Sequence, residues 1–140
     1  MTLTVPELNL LAVFVTGLAT FFLGGFWYVA LFGNMRLKYL GIDEEQLKVM
    51  AQVRPPHLFY ETMLFAYWIL ATLVGFPVHW ARAETWQDGA LLGLVLWGLV
   101  QCIAITACIS GKTRKEVYFI DGAYQFCYLI LAGILLTLWK

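Results

Sequence analysis

The sequence predicts an all-α polytopic membrane protein, with four transmembrane helices in an antiparallel bundle and a short cytoplasmic surface helix. Of its 140 residues, 61% are hydrophobic and only 13% are charged, whereas soluble domains carry about a quarter charged residues. Four long apolar stretches account for most of the chain. We therefore expect one membrane domain over residues 1–140, with the lipid bilayer as its first partner.

Each apolar stretch is close to, or longer than, the ~20 residues that a helix needs to cross a bilayer. The stretches cover residues 8–32, 58–80, 89–110 and 117–139. No Lys or Arg occurs between Met1 and Glu7, and the first apolar run is too long for a cleavable signal peptide. We expect the first stretch to remain as a membrane helix.

The basic residues are distributed unequally between the two sides of the predicted bundle. One side carries Arg82 and Lys140, and the loops on the other side carry seven basic residues: Arg36, Lys38, Lys48, Arg54, Lys112, Arg114 and Lys115. Because Lys and Arg near span ends are retained in the cytoplasm, both basic loops are predicted to be cytoplasmic. Both termini are then on the outer side.

Two capping boxes predict helix starts. Asp43 and Gln46 open a loop helix over about residues 43–52, which could lie on the membrane surface, cover the mouth of the bundle or form a solvated linker. Thr113 and Glu116 form a second T-x-x-E box just ahead of the last span. We expect that box to cap the last helix.

Two stripes of small residues predict close helix packing. In the first span small residues recur every four positions, and the third span holds a G-x-x-x-G pattern. The two stripes are Ala12, Thr16, Thr20 and Gly24, and Gly89 and Gly93. One stripe is expected to pack within the bundle, and the other could serve a homodimer.

Two acidic residues, Glu61 and Asp121, fall inside predicted spans, where ionisable groups are functional candidates. Both lie near cytoplasmic helix starts, where the helix dipole favours a carboxylate. Glu61 has His57 four residues before it, which favours a structural role. Asp121 has no basic residue three or four positions away, so it needs another partner.

The residues around Asp121 suggest a polar pocket that opens toward the cytoplasm. Candidate ligand-binding residues, from its own helix, the antiparallel third span and the second span, are Asp121, Tyr124, Gln125, Tyr128, Gln101, Thr106 and Glu61. The alternative is a hydrogen-bonded network that only holds the helices together, since such bonds contribute well under ~1 kcal/mol each in membranes. Both interpretations stay open at this point.

Other chemistry finds little support in the sequence. The three cysteines lie inside spans without C-x-x-C spacing, and His57 and His79 fall at opposite ends of one span. The formal net charge is zero, which removes the electrostatic argument for nucleic acid. We predict no catalytic residue, metal site, cofactor or nucleic-acid partner.

Five segments of the chain, 23–28, 31–33, 40–42, 89–93 and 120–124, read LGGFWY, LFG, LGI, GALLG and IDGAY. In these segments the chain resembles a bacterial family of four-helix integral membrane proteins catalogued as domain of unknown function 1761. This sequence departs from the family pattern at Ala30, where proline is frequent, and at Asp121, where Asn is usual. The resemblance implies a multi-pass protein of the bacterial inner membrane and supplies no activity.

The sequence thus favours a non-enzymatic binding or transport-type protein with a cytoplasm-facing polar pocket, which could form a homo-oligomer. An accessory or assembly subunit of a larger membrane complex is the alternative. A membrane enzyme that uses the Asp121 cluster is ranked last.

Overall fold

The computed structural model describes residues 4–139, which are predominantly helical and contain no strand. A π-helical segment, Phe26–Leu31, continues the first helix. The α-helices are α1 (Leu10–Gly25), α2 (Gly33–Leu40), α3 (Glu44–Val53), α4 (Pro56–Trp80), α5 (Trp86–Ile109) and α6 (Lys115–Leu138). Four helical stretches are long and apolar enough to cross a membrane: Leu10–Leu31, Pro56–Trp80, Trp86–Ile109 and Lys115–Leu138. The predicted all-α membrane fold is confirmed.

The first small-residue stripe faces the interior of the bundle. Ala12, Thr16 and Thr20 are at most 1% exposed, and Gly24 is also buried. The absence of large side chains lets α1 approach α4 and α6 closely. Trp68 of α4 lies against Gly17 and donates from Nε1 to the carbonyl of Phe14 at 3.2 Å.

The second stripe joins α5 to α6 within the same chain. A Cβ atom on Gly89 would collide with the carbonyl of Gly133, and one on Gly93 would collide with the carbonyl of Leu129. The two backbones are therefore in direct contact, which only glycine permits. Because this stripe is buried inside the chain, it provides no surface for the homodimer that the sequence left open.

The rest of α5 is largely uncovered, since α5 packs chiefly against α6. Beyond its first turn, the large side chains that α5 exposes are apolar: Leu91, Leu94, Val95, Leu99, Ile103, Ile105 and Ile109. Such a surface suits contact with lipid rather than water.

The segment between the first two spans holds two short helices, of which the sequence predicted one. Gly41, with φ 71°, ends α2, and the predicted capping box of Asp43 and Gln46 opens α3. Every residue of α3 is exposed, so α3 does not cover the mouth of the bundle.

The Thr113–Glu116 capping box was a wrong prediction. The N-cap of α6 is Arg114, without a side-chain hydrogen bond. The amide of Thr113 instead donates to the carbonyl of Ala107 at 3.3 Å, because the chain turns at Gly111 with φ 74°. Thr113 therefore belongs to the turn that closes α5, and Glu116 forms an ion pair with Arg114 at 3.4 Å.

A different capping box starts α5 three residues earlier than expected. The Thr85 hydroxyl accepts from the amide of Asp88 at 3.3 Å, and the Asp88 carboxylate accepts from the amide of Thr85 at 2.9 Å. This reciprocal pair holds the first turn before the apolar run begins. Lys140, counted above among the outer basic residues, lies outside the described residues.

Candidate functional site

A cavity of about 600 Å³ lies between the first span, α2, α4 and α6, toward the end where α4 and α6 begin. Its walls are mostly apolar and aromatic. The lining residues are Phe21, Gly24, Gly25, Tyr28, Val29, Gly33, Arg36, Leu37, Phe59, Tyr60, Met63, Tyr67, Asp121, Tyr124, Gln125 and Tyr128. Tyr128 lies thirteen residues after Lys115, or about 20 Å along α6, so the cavity extends deep into the membrane region.

An ion pair between Arg36 and Asp121 lies at the wall of this cavity. Arg36 donates from Nε to Asp121 Oδ1 at 2.9 Å and from Nη2 to Oδ2 at 3.1 Å, a two-point contact. The Tyr28 hydroxyl donates to the same Oδ1 at 2.7 Å. Arg36 thereby ties α2 to α6. Two-point contacts with a charged acceptor are among the stronger protein hydrogen bonds.

The π-helical segment places two consecutive side chains on α6. Trp27 donates from Nε1 to the carbonyl of Ile120 at 3.2 Å, and the next residue, Tyr28, reaches Asp121. The amide of Phe32 bonds the carbonyl of Trp27, five residues back, at 2.8 Å. A π turn holds more residues than an α turn, so the rotation about the helix axis from one side chain to the next is smaller. Trp27 and Tyr28 can therefore both contact α6.

Four tyrosines form a cluster on one wall of the cavity. The ring of Tyr124 lies 5.1 Å from that of Tyr28 and 4.9 Å from that of Tyr128. The ring of Tyr67 lies 5.9 Å from that of Tyr128. All three pairs are edge-on, the favoured aromatic geometry.

The hydroxyl groups of this cluster form a directed chain. Tyr124 Oη lies 2.9 Å from the carbonyl of Thr20 and 2.8 Å from Tyr67 Oη. A carbonyl can only accept, and each phenol has one proton. Tyr124 therefore donates to Thr20, and Tyr67 donates to Tyr124, which leaves lone pairs of Tyr67 free.

A family model described as a protein of unknown function (DUF1761) matches residues 11–137, nearly the whole chain. The chain belongs to this family. No curated protein and no solved structure matches it. The match includes all but the outermost residues of the four long apolar helices and every residue that lines the cavity.

Four of the residues that the sequence predicts for a polar pocket line the cavity: Asp121, Tyr124, Gln125 and Tyr128. Gln101 lies behind Gln125 and donates from Nε2 to its Oε1 at 2.7 Å. Thr106 and Glu61 are exposed and line no part of the cavity. The Thr106 hydroxyl donates to the carbonyl of Ile103 on its own helix at 2.7 Å.

The sequence did not predict three residues of this site: Tyr28, Arg36 and Tyr67. Tyr28 and Arg36 are 93 and 85 residues from Asp121 in the chain, so helical spacing on α6 and the depth of the third span do not connect them to it. One signal was present, because Tyr28 and Gly33 belong to the segments that carry the family resemblance. Arg36 was used only to assign orientation.

The positive and negative charges that line the cavity neutralise each other. Among the described lining residues, only Arg36 and Asp121 carry a charge, and the two are paired. The hydrogen bonds to Asp121 raise the pKa of Arg36 above its ordinary value, so its guanidinium stays protonated. Within residues 4–139 no group of His, Cys, Asp and Glu side chains could hold a metal ion.

Proposed function

We propose that this protein is a non-enzymatic binding or transport-type protein of the bacterial inner membrane that takes a small amphiphilic molecule into the cavity. The observation that supports this proposal is the cavity, a space of about 600 Å³ with mostly apolar walls and one ion pair. Ligand sites typically measure about 300–1,000 Å³ and combine apolar walls with a few polar groups.

The composition of the walls favours an amphiphile over a sugar or a free ion. Seven of the sixteen lining residues are aromatic, and only Arg36 and Asp121 among the described lining residues are charged. An apolar body would contact Phe21, Phe59 and Met63, while a polar group would face Asp121 and Tyr67. A strongly hydrated solute would lose water in this site without enough replacement hydrogen bonds.

The charge distribution favours access from the cytoplasm. The seven basic residues counted above lie in the segments that join the helices at the cavity end. The positive-inside rule then puts this end in the cytoplasm and both termini outside. The ligand would enter from the cytoplasm or from the inner leaflet.

The structure gives less support to the alternative of an assembly subunit. That hypothesis used the two small-residue stripes as docking surfaces, and both are buried within the chain. The apolar face of α5 is uncovered, but lipid suffices to cover it.

A blocking variant tests the proposed function. Gly25 lines the cavity, and a Cβ atom added there meets no atom within 4 Å. Gly25→Trp therefore fills cavity space without a backbone collision. Gly98→Trp is the matched control, because Gly98 is equally open but belongs to α5, outside the cavity.

Binding is measured in lipid nanodiscs with three ligands of matched shape, phenylbutylammonium, phenylbutanol and phenylbutyrate, by ligand-observed NMR against empty nanodiscs. We expect the wild type and Gly98→Trp to bind at least one ligand, and Gly25→Trp to bind it roughly tenfold more weakly, or worse. Equal signals from both variants, or none above empty nanodiscs for the wild type, would reject a ligand site in this cavity.

A further inference from the structure

We propose that the cavity selects organic cations, with the Asp121 carboxylate as anchor and Arg36 as a tethered cation that the ligand displaces. This inference rests on the proposed function and names its ligand class. The ligand is an ammonium or related cation on an apolar or aromatic body.

The first argument comes from Arg36 itself. Its guanidinium is a planar organic cation, and the cavity wall receives it with a carboxylate and an aromatic face. It contacts both oxygens of Asp121, and its carbon lies 5.4 Å from the centre of the Tyr28 ring. Cation–π attraction acts within about 6 Å of a ring centre. Arg36 is thus an example, within this chain, of an organic cation bound by the Asp121 carboxylate and the Tyr28 ring.

The second argument is the supply of hydrogen-bond acceptors. A carboxylate accepts about four hydrogen bonds, and Asp121 receives three, two from Arg36 and one from Tyr28. Its side chain is 26% exposed, so an incoming donor can approach the carboxylate, in which Oδ2 accepts only one of the three hydrogen bonds. The lone pairs of Tyr67 add a second acceptor deeper in the cavity.

The third argument is the aromatic lining. Phe21, Phe59 and Tyr60 line the cavity in addition to the cluster of Tyr28, Tyr67, Tyr124 and Tyr128. Aromatic rings bind alkyl groups and also attract cations through their faces. Such walls replace part of the water that an ammonium loses on entry.

An anionic ligand fits the same wall less well. It would compete with Asp121 for Arg36, whose Nε and Nη2 already donate to that carboxylate. The Tyr28 proton is also committed to Asp121, and a displaced Asp121 has no second cation among the described lining residues. A displaced Arg36, by contrast, lies outside the membrane-spanning stretches and can turn toward water while its stem stays packed.

Two single variants test the inference, because it predicts that they change the affinity for the ammonium ligand in opposite directions. Binding of the same three ligands is measured for each variant. The wild type is expected to bind phenylbutylammonium most tightly. Asp121→Asn removes the anchor with little change in shape, and we expect it to weaken ammonium binding roughly tenfold or more while phenylbutanol binding is retained. Arg36→Gln removes the competing cation, and ammonium binding should tighten several-fold.

The contrary outcomes are equally specific. Tightest binding of phenylbutyrate, lost in Arg36→Gln, would identify an anion site. Equal binding of ammonium and alcohol, unchanged in both variants, would show that charge plays no part, although the proposed ligand cavity would stand. If Asp121→Asn loses all three ligands, Arg36→Gln still decides, because weaker ammonium binding in that variant would overturn the inference.

Discussion

The hydroxyl of Tyr124 lies directly against Gly24, so that a methyl group on this glycine would come within 2.7 Å of the phenolic oxygen. That oxygen also bonds Thr20 and Tyr67. The contact therefore links the small-residue stripe of α1 to the hydroxyl chain of the cavity, and packing and site geometry depend on the same glycine.

Replacing Gly24 by Ala should destabilise the protein, whereas the same change at the next residue should not. Both glycines are helical and gain helix propensity from Ala, but a methyl group at Gly25 meets no atom within 4 Å. We expect Gly24→Ala to be less stable than Gly25→Ala by about 1–3 kcal/mol. The measurement is SDS-induced unfolding in mixed micelles, followed by circular dichroism. Equal stability of the two variants would contradict the close contact.

A larger effect is expected where two backbones meet. In Gly93→Ala the new methyl group would collide with the carbonyl of Leu129, which cannot rotate away as a side chain can. We expect a loss of about 2–3 kcal/mol in the same unfolding assay. Gly98→Ala is the control, since it adds the same methyl group to α5 in open space. If both variants unfold together, α5 and α6 are not packed through Gly93.

The Arg36–Asp121 pair should show measurable coupling in a double-mutant cycle of unfolding free energies with Arg36→Gln and Asp121→Asn. Their side chains are 33% and 26% exposed, and solvent screening limits the expected coupling to about 1 kcal/mol. The Arg114–Glu116 pair is the comparison, because Arg114 is 61% exposed and the ion pair is longer, at 3.4 Å. Coupling there should be near zero. Equal coupling for both pairs would argue against a special role for the two-point contact.

The proposed orientation can be tested by cysteine labelling. After replacement of Cys102, Cys108 and Cys127 by Ala, single cysteines are introduced at the exposed positions Lys112 and Glu84. A membrane-impermeant maleimide applied to intact spheroplasts should label the Glu84→Cys variant and leave Lys112→Cys unlabelled until the membrane is opened. The reverse pattern would place the cavity mouth on the outer side.

The number of membrane spans could be predicted from hydropathy, because a membrane span leaves a long local signal. The capping box of Asp43 and Gln46 was likewise visible, since its two partners are only three residues apart and bond each other. The Thr113 box failed for a non-local reason. Its amide is used by the end of the preceding helix, at Ala107, and a four-residue motif does not record that competition.

The candidate site could be predicted only on the helix that carries Asp121. Tyr124, Gln125 and Tyr128 follow from helical spacing on α6, but the ion-pair partner comes from α2, a helix whose existence the sequence did not reveal. The π-helical segment left no recognisable sequence signal either. Without that segment, the simultaneous reach of Trp27 and Tyr28 to α6 could not be anticipated.

The pairing of Arg36 with Asp121 also has a consequence for biogenesis. The arginine is synthesised with the first quarter of the chain, and its counterion arrives 85 residues later, on the last of the described helices. During translation α1 and α4 can associate through Trp68 while Arg36 still lacks its partner. The proposed binding site would therefore be assembled only when α6 has inserted, and a chain released before that stage would lack the part of the cavity wall that α6 contributes.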